Sequence, residues 1–456
     1  MNKNMDKLAN MDVKKLIIKM SLPAMISMLV QALYNIVDSI FVAKISEKAL
    51  TALSLVFPIQ MVIVAIFVGL GIGVNSYMSR KLGEKNKDQA VNTAEHGLFI
   101  AIAVWFILGI SAFFLPQVFY KMFTTDEEVL LYSIQYTKII MLFSFGSIVT
   151  EVCMNILRAT GDMISSMKIQ LLGALINIVL DPILIFGLFF IPALGVRGAA
   201  IATVIGQLSA MVFALNLVLK NKNGLKLNIK QFKFSREITT EIFKVGIPSM
   251  FMQLIGSVML TGINFVLAGF SGTSVAVFGA YFKLQSFIFM PVFGLTQGMM
   301  PIVGFNYGAK NNKRVFDAVK FSVLYASLIM FTGLLVFQIF PTQLLSMFSS
   351  TPEMYSMGVI CLKTISLGFV FSGAAIILTV YFQALGKAKI SLVISFARQI
   401  IFLIPLAFGL SKVFGVKGVW MSFPISELAC LLIAGAFTLR LLKSEKKREE
   451  KIVKIA

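Results

Sequence analysis

Two carboxylates sit inside apolar runs long enough to cross a membrane. Asp38 lies within Leu22–Ala43 and Asp181 within Ile169–Phe190, and neither run contains a Lys or Arg. A charged group at that depth costs about 2.5–3.5 kcal/mol on insertion scales. It is retained where it faces a bundle interior or a wet cavity and meets an ion, a proton or a substrate. Asn177 and Asp181 are four residues apart, so they share one helix face. Pro182 follows directly, and its missing N–H leaves the carbonyl near Ile178 without its helical partner. Carboxylate, amide and freed carbonyl within one turn make a hard-oxygen cluster that suits Na⁺ or a proton and not a soft transition metal. Asp38, with Asn35 one turn before it, supplies the second carboxylate if the first and fifth membrane helices adjoin. The competing reading, in which each Asp only hydrogen-bonds a neighbouring helix, runs against the cost of burial.

Other polar positions are less specific. Thr203, in Gly198-Ala-Ala-Ile-Ala-Thr203, lies on a small-residue face and becomes a ligand candidate only beside the Asp pair. Glu151 precedes Arg158 by about two turns, so it is either a second proton or substrate site or half of a structural ion pair. Glu427, in the last helix, tilts toward a structural role. His96, the single histidine, stands next to Glu95 at a helix start and reads as an interfacial residue before a proton relay. Gly69-Leu-Gly71-Ile-Gly73 lies inside an apolar helix with no preceding strand, which removes a nucleotide-binding reading and leaves close helix packing or a bend. No nucleophile triad, Walker motif or metal-hydrolase spacing is present, so an enzyme is not expected. Cys153, Cys361 and Cys430 all lie in apolar runs and suggest neither a disulfide framework nor a metal site.

The elements that must position these residues follow from composition. The 456 residues are 58% hydrophobic and 14% charged, with a mean hydropathy of +0.87. A soluble chain carries about 25% charged residues, so an all-α polytopic membrane protein is the class that fits. Charge, Gly and Pro clusters divide the chain into twelve membrane helices: 16–43, 51–78, 92–115, 128–157, 164–189, 196–219, 238–268, 275–305, 315–339, 354–382, 391–411 and 417–440. The net charge of +20 is distributed by side. With residue 1 placed in the cytoplasm, inner segments hold 31 Lys and Arg and outer segments 6, while Lys138, Lys283, Lys363 and Arg398 fall within helices. That asymmetry puts both termini in the cytoplasm, with the basic residues orienting the chain and touching anionic lipid. No basic groove with interleaved aromatics suggests nucleic acid. The first apolar run is too long for a cleavable signal and lacks a small-residue cleavage site.

The chain is two copies of one unit. At an offset of 225, Pro23 and Met25 meet Pro248 and Met250. Gly69, Leu70 and Gly73 meet Gly294, Leu295 and Gly298, and Gly83, Lys85 and Asn86 meet Gly308, Lys310 and Asn311. Gly195-Val-Arg-Gly198 meets Gly415-Val-Lys-Gly418 after a short deletion. Six helices per unit return the chain to its starting side, so the two lobes are related by a pseudo-twofold along the membrane normal with a substrate path between them. The boundaries are an N-terminal lobe over 1–219, a cytoplasmic linker over 220–237 and a C-terminal lobe over 238–456. Asp38 corresponds to Ile263, Glu151 to Ile376, and Asp181 to an apolar residue near Ile404. The coupling chemistry is therefore expected in the N-terminal lobe. A subset of the 42 Phe and 25 Met is expected to line a central cavity for varied hydrophobic ligands.

Four motifs carry a family resemblance: Gln31-Ala-Leu-Tyr34-Asn35-Ile-Val-Asp38, Ser79-Arg80-Lys-Leu-Gly83, Leu157-Arg158-Ala-Thr-Gly161-Asp162 and Asn177-Ile-Val-Leu-Asp181-Pro182. With the six-plus-six repeat, the chain resembles the multidrug and toxic compound extrusion (MATE) transporters over nearly its whole length, and within them the DinF/MepA-like branch. The resemblance implies a V-shaped pair of six-helix lobes. It implies export of amphipathic, often cationic compounds by antiport against Na⁺ or H⁺ across a bacterial cell membrane. It places cation coupling at Asp38, Asn177, Asp181 and Thr203, with Na⁺ held at Asp38, Asn177 and Asp181 if Na⁺ is the ion. The NorM-like branch carries acidic residues in the seventh and tenth helices, and this chain has none in the apolar stretches 245–268 and 354–382 of those helices. No organic cofactor is expected, and the protein is expected to act as a monomer. The alternatives within the wider superfamily are a flippase for a lipid-linked precursor and a metabolite exporter. A flippase calls for basic residues in the cavity.

Overall fold

The computed structural model describes residues 3–43, 45–188, 192–220, 227, 232–348 and 351–455; the side chains of 3, 34–40, 42, 43 and 445–455 lie outside that description. The elements are α1 (Lys3–Asn10), α2 (Val13–Ala43), α3 (Glu47–Gly83), α4 (Lys87–Ser111), α5 (Leu115–Lys121), α6 (Glu127–Leu142), α7 (Phe145–Ala159), α8 (Met163–Phe186) and α9 (Val196–Leu219) in the first half. The second half holds α10 (Arg236–Ala268), α11 (Gly272–Gly308), α12 (Asn312–Ile339), α13 (Pro341–Ser346), α14 (Pro352–Ser366), α15 (Phe369–Ala384), α16 (Ala388–Phe396), a π-helical stretch Ala397–Leu403, α17 (Ile404–Phe414) and α18 (Val416–Ile455). Among the described residues, ten helical segments are long and apolar enough to span a membrane, and two bent pairs bring the number to twelve. The protein is an all-helical, multi-span membrane protein.

The repeat seen in the sequence is built into the turns. Gly83-Glu-Lys85-Asn86 and Gly308-Ala-Lys310-Asn311 end one span and start the next in the same way. Lys85 and Lys310 take left-handed conformations, with φ of 61° and 57°. Asn86 then caps α4 by accepting from the Gln89 N–H at 3.1 Å, and Asn311 caps α12 by accepting from the Arg314 N–H at 3.2 Å.

The expected spans 128–157 and 354–382 are each two helices. α6 and α7 meet at 47°, and α14 and α15 at 49°. Neither junction holds a proline, so hydropathy alone reads straight through them. The backbone groups freed there find side-chain partners on the preceding span. Trp105 Nε1 donates to the Leu142 carbonyl at 2.8 Å, and Gln338 Nε2 donates to the Lys363 carbonyl at 2.7 Å.

The two halves meet along α3 with α10 and α2 with α11. The seam is pseudo-symmetric and uses the glycines that mark the repeat. A Cβ on Gly83 would strike the carbonyl of Phe305, and a Cβ on Gly308 would strike the carbonyl of Arg80, the repeat mate of Phe305. Gly69 likewise faces Gly246 and Met250, and Gly294 faces Met25. Small residues let the backbones touch, which is how helices associate where no hydrophobic drive exists between them. At the end that carries the basic loops the seam is tied by polar contacts. Arg80 pairs with Glu241 at 3.3 Å. Ser76 Oγ donates to the Gln383 carbonyl at 2.6 Å. Arg314 Nη2 donates to the carbonyls of Leu8 and Met11 at 3.2 and 2.8 Å, holding the chain after α1 against the other half.

Part of the 220–237 linker lies outside the described residues. The described end docks on α4. Phe232 stacks on Phe99 with ring centroids 3.9 Å apart, and the buried His96 accepts from the Ser235 N–H through Nε2 at 2.7 Å. His96 is thus the seat of the linker at the start of α10.

Candidate functional site

α8 packs along both α2 and α9. Glycine contacts on either side of the site draw α8 and α9 together. A Cβ on Gly206 would lie 2.8 Å from the Gly173 carbonyl, and a Cβ on Gly198 would strike the Leu184 carbonyl. Between these contacts Asn177, Asp181 and Thr203 are brought together, all buried, with Asp181 at 0% exposure. In the amide orientation that satisfies every partner, Asn177 Nδ2 donates to Asp181 Oδ2 at 3.0 Å, and Asn177 Oδ1 accepts from the Thr203 N–H at 3.1 Å and hydroxyl at 3.2 Å. The single proton of the Thr203 hydroxyl is shared between Asn177 Oδ1 and the Ala199 carbonyl, 3.0 Å away. The sequence spacing put two of these residues on one face; the fold adds the third from the neighbouring helix.

The side chains of Asp38 and Asn35 lie outside the described residues. The backbone of α2 nevertheless adjoins α8 as the two-carboxylate reading required. Gln170 Nε2 donates to Gln31 Oε1 at 3.0 Å, and the rings of Phe41 and Phe186 meet at 6.3 Å. Positions 38 and 181 fall between these two contacts along the paired helices.

Glu151 is drawn into a different network. It accepts from Asn155 Nδ2 at 2.8 Å and lies 3.7 Å from Arg158. Asn155 Oδ1 in turn accepts from Asn75 Nδ2 at 3.2 Å, and Arg158 Nε donates to Ser166 Oγ at 2.9 Å. Glu151→Gln leaves Arg158 buried without its counter-charge and is expected to lower stability by about 3–5 kcal/mol, read as a drop in melting temperature of the purified protein; an unchanged melting temperature would remove the structural pairing. Glu151 also borders, with Asn177, Thr203, Gln31 and Gln207, a cavity of about 180 Å³ inside the first half. Gln31, Gln170 and Gln207 line this cavity and had no site role assigned from the sequence, although a glutamine within an apolar run is itself a signal.

The second half encloses a larger cavity of about 570 Å³, lined by Phe and Met from α10, α11 and α15 together with Phe57 and Met61 of α3. Its charged lining residues are Arg398 and Glu427, 3.3 Å apart. Glu427 therefore has a basic partner, and Arg398, placed at the start of the π-helical stretch, was read in the sequence only as an in-helix charge. Cys153, Cys361 and Cys430 are free and buried.

Two internally related halves, each a six-span helical unit with a polar interior, define a polytopic membrane protein of the two-lobe repeat class. The chain belongs to the MatE family, whose profile matches residues 23–183 and again 248–408. It is 28% identical over 421 residues to the multidrug export protein MepA of Staphylococcus haemolyticus, covering 92% of each chain. It also superposes with a TM-score of 0.92 and 27% identity on an outward-facing multidrug resistance MATE family transporter of the MOP superfamily, over 97% of this chain and 98% of that one. A MOP superfamily transporter from Pyrococcus furiosus, for which a binding pocket of reverse polarity suggests a different function, matches with a TM-score of 0.91 and 26% identity over 98% and 99% of the two chains.

Proposed function

We propose that this protein is a secondary active multidrug exporter that moves amphipathic, often cationic compounds out of the cell in exchange for Na⁺ or H⁺ by alternating access. The observation that carries the reading is Asp181, fully buried within one lobe and joined to Asn177 and, through it, to Thr203. A site of this kind earns its burial by changing charge state during a cycle. The names of the similar proteins, multidrug export protein MepA among them, support the substrate class.

The ion acts through differential affinity for the two arrangements of the lobes, since a ligand that binds both equally shifts nothing. An ionised Asp181 only accepts hydrogen bonds, so it matches the Asn177 amide nitrogen. Na⁺ would take the oxygens of Asp181, Asn177 and Thr203, with Asp38 completing the set, and would draw the amide oxygen round. A proton on Asp181 would create a donor in place of an acceptor. Either event neutralises the carboxylate and repacks α8 against α2 and α9, which weakens substrate binding and favours release outside. The alternative of a lipid-linked precursor flippase calls for a basic cavity, and the lining of the larger cavity offers Arg398 already paired with Glu427.

Ethidium accumulation in cells expressing the protein, with and without an imposed Na⁺ or pH gradient, tests the reading. Accumulation should fall when the gradient is present and recover when it is collapsed. Accumulation indifferent to both gradients would contradict it. The reading also fixes orientation, with the basic loops and both termini in the cytoplasm. In a background with the three native cysteines replaced, an impermeant maleimide applied to intact cells should label Thr125→Cys, between α5 and α6, and spare Lys310→Cys, between α11 and α12. The opposite pattern would invert the topology.

A further inference from the structure

Among the described residues, the ion pairs inside the two halves, Glu151 with Arg158 and Arg398 with Glu427, are held very differently. Glu151 and Arg158 belong to a network that engages Asn155 and Ser166. Arg398 and Glu427 share one contact, Arg398 Nη1 to Glu427 Oε1 at 3.3 Å, and Glu427 Oε2 is buried with no hydrogen-bond partner. Both side chains line the larger cavity. A pair kept for structure is expected to be fully satisfied, because each unpaired buried valence raises its cost. This pair is left with unfilled capacity beside empty apolar volume. Arg398 is also carried on the π-helical stretch Ala397–Leu403, a backbone form that is rare and recurs at functional sites.

We propose that the larger cavity is a binding site for a hydrophobic aromatic zwitterion, whose anionic group pairs with Arg398 and whose cationic group pairs with Glu427. The charge balance of the cavity carries the argument. A plain cation that displaces Arg398 from Glu427 leaves the partly buried guanidinium unpaired, and a plain anion that displaces Glu427 from Arg398 leaves the carboxylate unpaired. Only a ligand with both signs replaces the internal pair without stranding a charge in a low-dielectric site. The surrounding surface suits an aromatic body: Phe289, Phe369 and Phe423 line the cavity with Met252 and Met290, and thioether and ring surfaces adapt to varied apolar shapes. This inference rests on the export reading for its purpose, since it assigns the substrate compartment to the half that lacks the Asp181 site.

The test uses a matched pair of fluorescent probes, rhodamine B with its free benzoate and the ethyl ester of the same dye, which is a plain cation. Binding to the purified full-length protein is read by anisotropy without any gradient. Wild type should bind rhodamine B about tenfold tighter than the ester, the effect of one additional charge-assisted contact. Arg398→Gln should reverse the preference toward the ester, and Glu427→Gln should weaken the ester further. The charge-exchanged double variant Arg398→Glu/Glu427→Arg keeps an ion pair and should keep the preference for rhodamine B, which preserves the test if either single variant fails to fold. Equal affinity of wild type for the two dyes, or loss of the preference in a folded charge-exchanged protein, would overturn the proposal. So would single variants that weaken both dyes by one common factor. Efflux of ethidium by a protein with no rhodamine B preference would sink this site and leave the export reading standing. Binding with the expected preference in a protein that moves no drug would do the reverse.

Discussion

Asp181→Asn is expected to abolish gradient-driven efflux while leaving the protein folded and in the membrane. The substitution is nearly isosteric, and its amide oxygen can still accept from Asn177, which keeps its own bonds to Thr203, so packing between α8 and α9 is retained. What disappears is the only group among those three that changes charge. Coupling free energies between sites are typically about 1–3 kcal/mol, or roughly 5–150-fold in affinity, and the variant should lose that whole factor. Efflux of ethidium from everted vesicles, energised in turn by a Na⁺ and a pH gradient, is the measurement. Ile263, the repeat mate of Asp38, is buried among apolar side chains, and Ile263→Val should efflux nearly as wild type. If Asp181→Asn also effluxes as wild type, the site is misplaced.

Gly308→Ala is expected to stop transport by a different route. The added methyl falls on the Arg80 carbonyl across the seam, and this neighbour is backbone and cannot swing away. Overpacking of this kind costs about 1–3 kcal/mol, and here the cost falls only on the arrangement in which the basic ends of the two halves touch. The population should shift toward an arrangement open at that end. Ser76 is buried at 0% exposure beside the Gln383 carbonyl, so a cysteine placed there reports the seam. In everted vesicles an impermeant thiol reagent should leave Ser76→Cys unlabelled in an otherwise wild-type seam and label it when Gly308→Ala is added. Gly83→Ala, whose methyl meets the Phe305 carbonyl, should behave alike because the contact is its pseudo-symmetric mate. Wild-type efflux with Ser76→Cys still protected would show that the seam does not gate.

Much of this architecture was legible because apolar length and repeated punctuation are written directly in the chain. Met25 with Met250, Gly69 with Gly294 and Gly83 with Gly308 were matched as a repeat, and the structure shows why they recur: they form the surface on which the two halves meet. Asn177 and Asp181 were placed on one face by a four-residue spacing. The breaks at Leu142 and Leu367 were not legible, since the freed carbonyls are capped by Trp105 and Gln338 from other spans, and no local residue announces such a partner. The joining of Thr203 to Asn177 depended on the approach of α8 and α9 at Gly173 and Gly206, a tertiary fact. Arg398 was visible as a charge in an apolar helix, but its pairing with Glu427 across a cavity required two distant spans to be brought together. His96 gave no sign that the linker would dock on it, because the signal resides in a backbone N–H at Ser235.

If one ion and the substrate compete through the Asp181 site, equilibrium binding reveals the competition without any transport step. The affinity of purified protein for ethidium should be titrated across Na⁺ at fixed pH and across pH without Na⁺. Affinity should fall as one of these ions rises, ethidium should weaken binding of that ion by the same factor, as linkage requires, and Asp181→Asn should flatten the dependence. Ethidium affinity that is constant across both titrations in wild type would contradict it.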